Sequence, residues 1–186
     1  MKKIYVMAMV IIAILLGGNS VKAQFSPDCL DNTWTKQPCW NTTMTFPNGV
    51  VCDVVICYCT RIVNGVRQVY VSGVGYGDAC ALGIDDVNSI LDAATHRLLN
   101  GNPMNWPCPP CPQSVINTEV SFSTCYKLEN DPIAGIVWIR PCNALGVCTQ
   151  SYTVCCSLTG VKTITLISTS STGSCVGESG CISRCP

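Results

Sequence analysis

Sixteen cysteines constrain this chain more than any other feature of its sequence, because all of them follow residue 23 and their even number allows complete pairing. In residues 24–186 about one residue in ten is a cysteine, which is typical of a disulfide-bonded exported protein. Zinc is the competing use of cysteine pairs, but this region contains a single histidine, so disulfides are favoured. The sequence does not determine which cysteines pair. The candidates are Cys29, Cys39, Cys52, Cys57, Cys59, Cys80, Cys108, Cys111, Cys125, Cys142, Cys148, Cys155, Cys156, Cys175, Cys181 and Cys185.

The amino terminus predicts export. Lys2 and Lys3 precede an apolar run over residues 4–16, and the small residues of Val21-Lys22-Ala23 suit cleavage after Ala23. The run is shorter than the roughly 18 to 20 apolar residues that span a bilayer, so a cleaved signal peptide over residues 1–23 is favoured over a membrane anchor. We therefore expect a secreted or cell-surface extracellular protein, of bacterial type, with no membrane span after cleavage.

Charge narrows the class of partner. The whole chain has 11 basic and 11 acidic residues. Lys2, Lys3 and Lys22 leave with the signal peptide, so eight basic residues remain against 11 acidic ones, a formal charge of −3. No cluster of basic residues remains, which argues against nucleic acid or an anionic membrane surface as a partner.

Residues 50–71 predict a central hairpin. The first strand is apolar on both faces, which is typical of an internal strand, and Asn64-Gly65 favours a two-residue type I′ turn. Cys57 and Cys59 share one face of that strand and Cys52 has the opposite parity, so each should bridge to another segment. The turn predicts a register that pairs Val63 with Val66, Arg61 with Gln68 and Cys59 with Tyr70.

One segment has a clear helical period, about residues 84–100, where apolar side chains recur on one stripe. Asp85 and Asp86 suit its positive end, and Asn100-Gly101 supplies a stop. Residues 102–112 follow as NPMNWPCPPCP, in which five prolines exclude a helix or a central strand. We interpret residues 24–186 as a single disulfide-rich domain, and this segment as a rigid linker between two related halves, 24–101 and 113–186.

A second cysteine-bearing hairpin is predicted over residues 147–167, with a two-residue turn that ends at Gly160. Aligning Gly65 with Gly160 also aligns Cys80 with Cys175, since both pairs are 95 residues apart. Two interpretations stay open: a divergent internal duplication, or two independent hairpins that resemble each other.

Three further strands complete the predicted fold. Residues 40–46 should pair with the strand that begins at Val50, residues 115–128 alternate as a half-exposed strand, and residues 136–139 form a short one. The expected fold is α+β and mostly β, built of antiparallel hairpins with one amphipathic helix and stapled by disulfides.

No constellation of residues predicts a catalytic, cofactor or metal site. Cys108 and Cys111 have the spacing of a thiol–disulfide exchange motif, but prolines flank them and no helix follows, so a structural role is favoured. His96 is the only histidine, and Asp92 four residues before it suggests an exposed helical pair.

Exposed aromatic residues are the remaining clue. Trp34, Trp40 and Trp106 lie in irregular segments, where they could form a platform for a glycan or a protein, or cover a small core. Trp138 lies in an apolar strand and is expected in the core.

The leading functional hypothesis is a non-enzymatic extracellular structural or adhesive protein, a self-associating surface-layer or filament subunit. It is motivated by dense crosslinking, a charged fraction of 12 %, and Thr- and Val-rich strands whose edges could associate. The alternative is a secreted glycan- or protein-binding module that uses the tryptophans. An extracellular hydrolase or thiol–disulfide oxidoreductase, centred on His96 or on Cys108 and Cys111, is the third.

Overall fold

The structure, a computed structural model, describes residues 28–82, 86–142, 146–175 and 179–185, so the predicted signal peptide lies outside the described residues. In the described ranges the chain is mostly β, with one α-helix and eight disulfides, which confirms the predicted fold class. A short 3₁₀ turn covers Asp78–Ala81. The strands are β1 (Thr35–Lys36), β2 (Trp40–Thr45), β3 (Val51–Val63), β4 (Val66–Gly77), β5 (Ile116–Ser123), β6 (Cys125–Asp131), β7 (Ile136–Pro141), β8 (Val147–Cys156), β9 (Lys162–Thr172) and β10 (Ile182–Ser183), and the helix is α1 (Val87–Gly101).

The predicted central hairpin is formed by β3 and β4. Asn64 and Gly65 have φ of 51° and 80°, as a type I′ turn requires, and all three predicted cross-strand pairs are present. A register shift between Cys57 and Tyr58 interrupts the ladder once. On its other edge β3 pairs with β2 and β1, so it is internal, as its two apolar faces predicted.

The strand β4 connects the whole sheet. One edge pairs with β3, while the other pairs in parallel with β5 at Arg67 to Tyr70 and antiparallel with β7 at Val74 to Gly77. The sheet therefore divides beside Ser72 into two branches, β5-β8-β9 and β7-β6-β10. Strands that precede and follow residues 102–112 thus share one sheet. The parallel pair was not predicted beside the antiparallel hairpins, and α1 lies in the crossover that a parallel pair needs.

The helix α1 begins at Val87, where the carboxylate of Asp86 accepts a hydrogen bond from the N–H of Asn88 at 2.9 Å. It ends one residue beyond the predicted stop. Asn102 takes the left-handed conformation and donates its N–H to the carbonyl of Leu98. The last helical residue is Gly101, against which the ring of Trp40 lies so closely that an added Cβ would clash with it. The predicted start at residue 84 lies outside the described residues.

The core lies between α1 and the sheet. Ile90 and Leu98 of the helix pack on alternating side chains of the central strands, whose opposite faces point away from the helix. This alternation determines which side chains reach solvent at the sites described below. The largest fully buried side chains include Phe46, Val54, Ile56, Val69, Val74, Ile90, Leu98 and Val120.

Three predicted features of the second half are wrong. The single strand predicted over residues 115–128 is two strands, because the backbone of Thr124 leaves the ladder to bond with Gly146 and Arg184. Its first part, β5, is paired on both edges, and its outward Ser121 and Ser123 are buried, so this strand is less exposed than predicted. The second hairpin turn has three residues instead of two, since the N–H of Ser157 donates to the carbonyl of Val161.

The eight disulfides include all sixteen cysteines. In each hairpin, two neighbouring cysteines of the first strand bridge outward to an earlier segment in nested order. The aligned Cys80 and Cys175 differ, however, because the first bridges to β3 and the second to β6. The duplication stays a prediction. The bridges are Cys29–Cys59, Cys39–Cys57, Cys52–Cys80, Cys108–Cys156, Cys111–Cys155, Cys125–Cys175, Cys142–Cys181 and Cys148–Cys185.

Candidate functional site: the open edge of β9

The strand β9 forms one edge of the sheet. Among the described strands it pairs only with β8, so its other side presents unpaired backbone N–H and C=O groups. Apart from Lys162 and Ile164 every residue of this strand is exposed. Leu166 and Ile167 are 49 % and 61 % exposed. We call Lys162–Thr172 the β9 edge.

The β9 edge lacks most of the protection that edge strands usually carry, such as charges, proline or short length. It has 11 residues and no proline, and Lys162 is its one charged residue. The amine of Lys162 donates to the carbonyls of Leu99 and Asn100, at 3.0 and 2.8 Å, and burial lowers its pKa. This charge therefore stabilises the carboxyl end of α1 instead of guarding the edge. One irregularity of register, between Ser151 and Tyr152 of β8, is the remaining protective feature.

Hydroxyl side chains cover the outer face of the sheet beside this edge. Ser121 and Thr149 lie 2.9 Å apart between their hydroxyl oxygens, and Thr153 of β8 pairs across the ladder with Thr165 of β9. Residues 163–172, TITLISTSST, carry no charge. A β-branched, uncharged segment of this length is the type that pairs with other strands.

The three tryptophans of the predicted platform do not share one surface. Trp34 is 7 % exposed and packs against Tyr70, on the sheet face opposite α1. Trp40 and Trp106 are half-buried against the core on the helix side. Each is covered by a guanidinium, with Arg61, Arg97 and Arg67 at 4.1, 5.2 and 5.3 Å from the respective ring centroids. Trp138 is 3 % exposed, which confirms its predicted place in the core.

The two cysteines of the candidate redox pair form structural disulfides with other cysteines. Cys108 bonds to Cys156 and Cys111 to Cys155, so the two are not bonded to each other. Among the described residues no cysteine is free. These two bridges hold the proline-rich segment against the end of β8.

The residues around His96 do not form an Asp–His pair. His96 is exposed, with its ring 6.2 Å from that of Tyr152. The carboxylate of Asp92 instead accepts hydrogen bonds from Arg184 at 2.5 Å and from Gln150 at 3.2 Å. The helical pair predicted from the four-residue spacing is therefore replaced by contacts distant in sequence.

Sequence reasoning missed Arg184, which is the most deeply buried cation of the described chain. Its side chain is 4 % exposed, lies 4.3 Å above the ring of Phe122, and also donates to the carbonyl of Asn88. Its position between two cysteines of an irregular tail gave no periodic signal of burial.

In the described ranges no group of three His, Cys, Asp or Glu side chains is arranged to hold a metal ion. No helix of these ranges has the length and apolar character needed to cross a membrane.

Comparison of the chain with protein-family models, with curated proteins and with solved structures finds no match.

Buried tyrosines give a testable property of the fold. Burial raises the pKa of Tyr70, Tyr126 and Tyr152 to about 12. An unfolded tyrosine ionises near pH 10, so these groups stabilise the fold fully below pH 10, and that contribution is lost as the pH rises toward 12. We expect the free energy of unfolding, measured with guanidinium, to fall steadily above pH 10.

The ionisation itself can be followed by tyrosinate absorbance at 295 nm. In the folded protein the absorbance should rise later than in the reduced, denatured chain, which is the matched control. Superimposable titration curves for the two states would contradict the burial of these phenols.

Proposed function

We propose that the exported chain is a non-enzymatic extracellular structural or adhesive protein whose copies associate through the β9 edge. The observation that carries this proposal is the length and exposure of a strand with one free side and no outward charge. The expected partner is a second copy of the chain, because an uncharged strand meets its own copy without opposing like charges.

The disulfides support this function by holding the template strand rigid. The strand β8, with which β9 pairs, is disulfide-bonded to other segments at both ends, through Cys148 at one end and through Cys155 and Cys156 at the other. A pre-ordered edge loses little conformational entropy when another strand pairs with it. Eight bridges are also consistent with an oxidising extracellular location.

Charging the edge is expected to prevent association. Thr165 and Ser168 both lie on β9, at positions opposite Thr153 and Ser151 of β8. Thr165→Lys together with Ser168→Lys would place cations where a second copy must pair, and we expect the concentration at which oligomers form to rise by about tenfold or more. Light scattering and electron microscopy of the oxidised protein, over a concentration series, measure this.

Thr153→Lys is the matched control, because it places the same charge on the same ladder one strand away from the edge. The control should associate like the unchanged protein. Equal loss in the control would show that copies stack through the sheet face instead of the edge. An unchanged protein that stays monomeric at all concentrations would refute the proposal.

A further inference from the structure

A groove of about 540 Å³ lies on the outer face of the sheet, far from the β9 edge. It runs between β2 and the turn that joins β6 to β7. Its volume falls within the range of roughly 300 to 1,000 Å³ that small-molecule sites have.

Strand alternation explains the groove. Val54 of β3 and Val74 and Tyr76 of β4 face the core, so the residues between and beside them face outward. On β4 these outward residues are Gly75, over which the ring of Trp138 lies, and Gly77, whose missing side chain leaves the groove low at that end. The strand β2 and the β6–β7 turn form its sides.

The polar side of the groove is formed by Asn41, Thr43 and Asp53. Met44 is buried in the core, which places Thr43 and Asn41 on the outer face, and Thr43 lies directly opposite Asp53 in the ladder. All three side chains are exposed, and none makes a hydrogen bond or ion pair with another described side chain. Other polar residues of the same face differ, since Gln68 bonds to both Arg61 and Glu119.

The chemistry of the lining selects a ligand class. No Lys, Arg or His lines the groove, so nothing there would neutralise a phosphate or carboxylate. Asp53 accepts hydrogen bonds, while the amide of Asn41 and the hydroxyl of Thr43 both donate and accept, which suits hydroxyl groups on adjacent carbons. Val55, Ala134 and Ile136 offer apolar surface to the C–H face of a ring.

We propose that this groove binds an uncharged oligosaccharide, with Asn41, Thr43 and Asp53 as its hydrogen-bonding residues. The inference is independent of self-association, since it concerns a monomer. It also differs from the predicted tryptophan platform, because neither Trp34, Trp40 nor Trp106 lines the groove.

The test is to probe a glycan array with the full oxidised protein. The array carries neutral oligomers of glucose, mannose, galactose and N-acetylglucosamine beside sialylated and sulfated glycans. Calorimetry then measures the affinity for the best neutral ligand. We expect Asp53→Asn and Asn41→Ala each to weaken binding by about tenfold, because a ligand hydroxyl loses its partner. Asp78→Asn, an exposed carboxylate outside the groove lining, is the control and should bind normally.

Filling the groove gives a second, independent variant. Gly77 has φ −63° and ψ 137°, which any residue adopts, and an added Cβ would meet only the sulfur of Cys80 at 3.6 Å. Gly77→Phe should therefore fold and abolish binding. The proposal is overturned if neutral-glycan binding survives Gly77→Phe or is lost only when Trp40 or Trp106 is changed. It is also overturned if only acidic glycans bind, or if no neutral glycan binds at millimolar concentration.

Discussion

Replacing Cys108 and Cys156 together by serine is expected to lower the free energy of unfolding by about 4 kcal/mol, because their bridge closes a loop with a sequence separation of 48 residues. The bridge also holds backbone contacts. The N–H of Cys111 donates to the carbonyl of Cys156 at 2.9 Å, and the N–H of Cys156 donates to the carbonyl of Pro109 at 2.8 Å. Guanidinium unfolding without reductant measures the change.

The matched control is the double replacement of Cys39 and Cys57, whose separation is 18 residues. The shorter loop should cost about 3 kcal/mol, so the order of the two effects tests the loop argument directly. A loss below about 1 kcal/mol for the longer loop would contradict it. Peptide mapping under non-reducing conditions should find Cys108 joined to Cys156, and a Cys108–Cys111 peptide would restore the redox hypothesis.

Local pattern predicted the parts of the fold that depend on neighbours in sequence. Alternation and Asn64-Gly65 were enough for the β3–β4 register from Tyr58 to Val63, because a two-residue turn leaves one pairing there. The register shift between Cys57 and Tyr58, which sets the pairing of Val54 and Ile56, was not predicted. The 3.6-residue period likewise located α1 to within one residue at its carboxyl end. Because Cys57 and Cys59 lie on the same face of one strand, the sequence correctly predicted that each would bridge to another segment.

Contacts between distant segments could not be predicted in the same way. The parallel pairing of β4 with β5 places Val69 opposite Val120, although the whole of α1 lies between these residues in the sequence. Nothing in either strand specifies that partner. The candidate site shows the same limit. The sequence predicts a strand around Thr165, but whether that strand is an edge depends on how all the others are ordered.

The two proposed sites lie at opposite ends of one sheet. The path β2-β3-β4-β5-β8-β9 separates the polar side of the groove, on β2 and β3, from the β9 edge. With strands about 4.8 Å apart, five spacings place β2 roughly 24 Å from β9. Copies that pair through Thr165 and its neighbours would therefore leave Asn41 and Asp53 open to a ligand, so an assembly could present many grooves at once.

A second large effect is expected at Asp92, although half of its side chain is exposed. Its carboxylate accepts from the guanidinium of Arg184, which is 4 % exposed and has no other carboxylate within ion-pair distance among the described residues. Asp92→Ala would leave that cation buried and unpaired. We expect the free energy of unfolding to fall by about 3 kcal/mol, the lower end of the range for a broken buried pair, because water can reach the Asp92 side.

A double-mutant cycle separates this charge effect from simple loss of contacts. Arg184→Met keeps most of the packing on Phe122 and removes the cation, so adding Asp92→Ala to Arg184→Met should cost less than about 1 kcal/mol. The difference between the two costs of Asp92→Ala, about 2 kcal/mol, is the coupling of the pair. If Asp92→Ala lowers the free energy of unfolding equally in both backgrounds, Arg184 is stabilised by Asn88, Gln150 and Phe122 and does not need the Asp92 carboxylate. The tail that carries Arg184 is bonded to β8 through Cys148–Cys185, so a coupled pair would fasten α1 to the strand that supports the β9 edge.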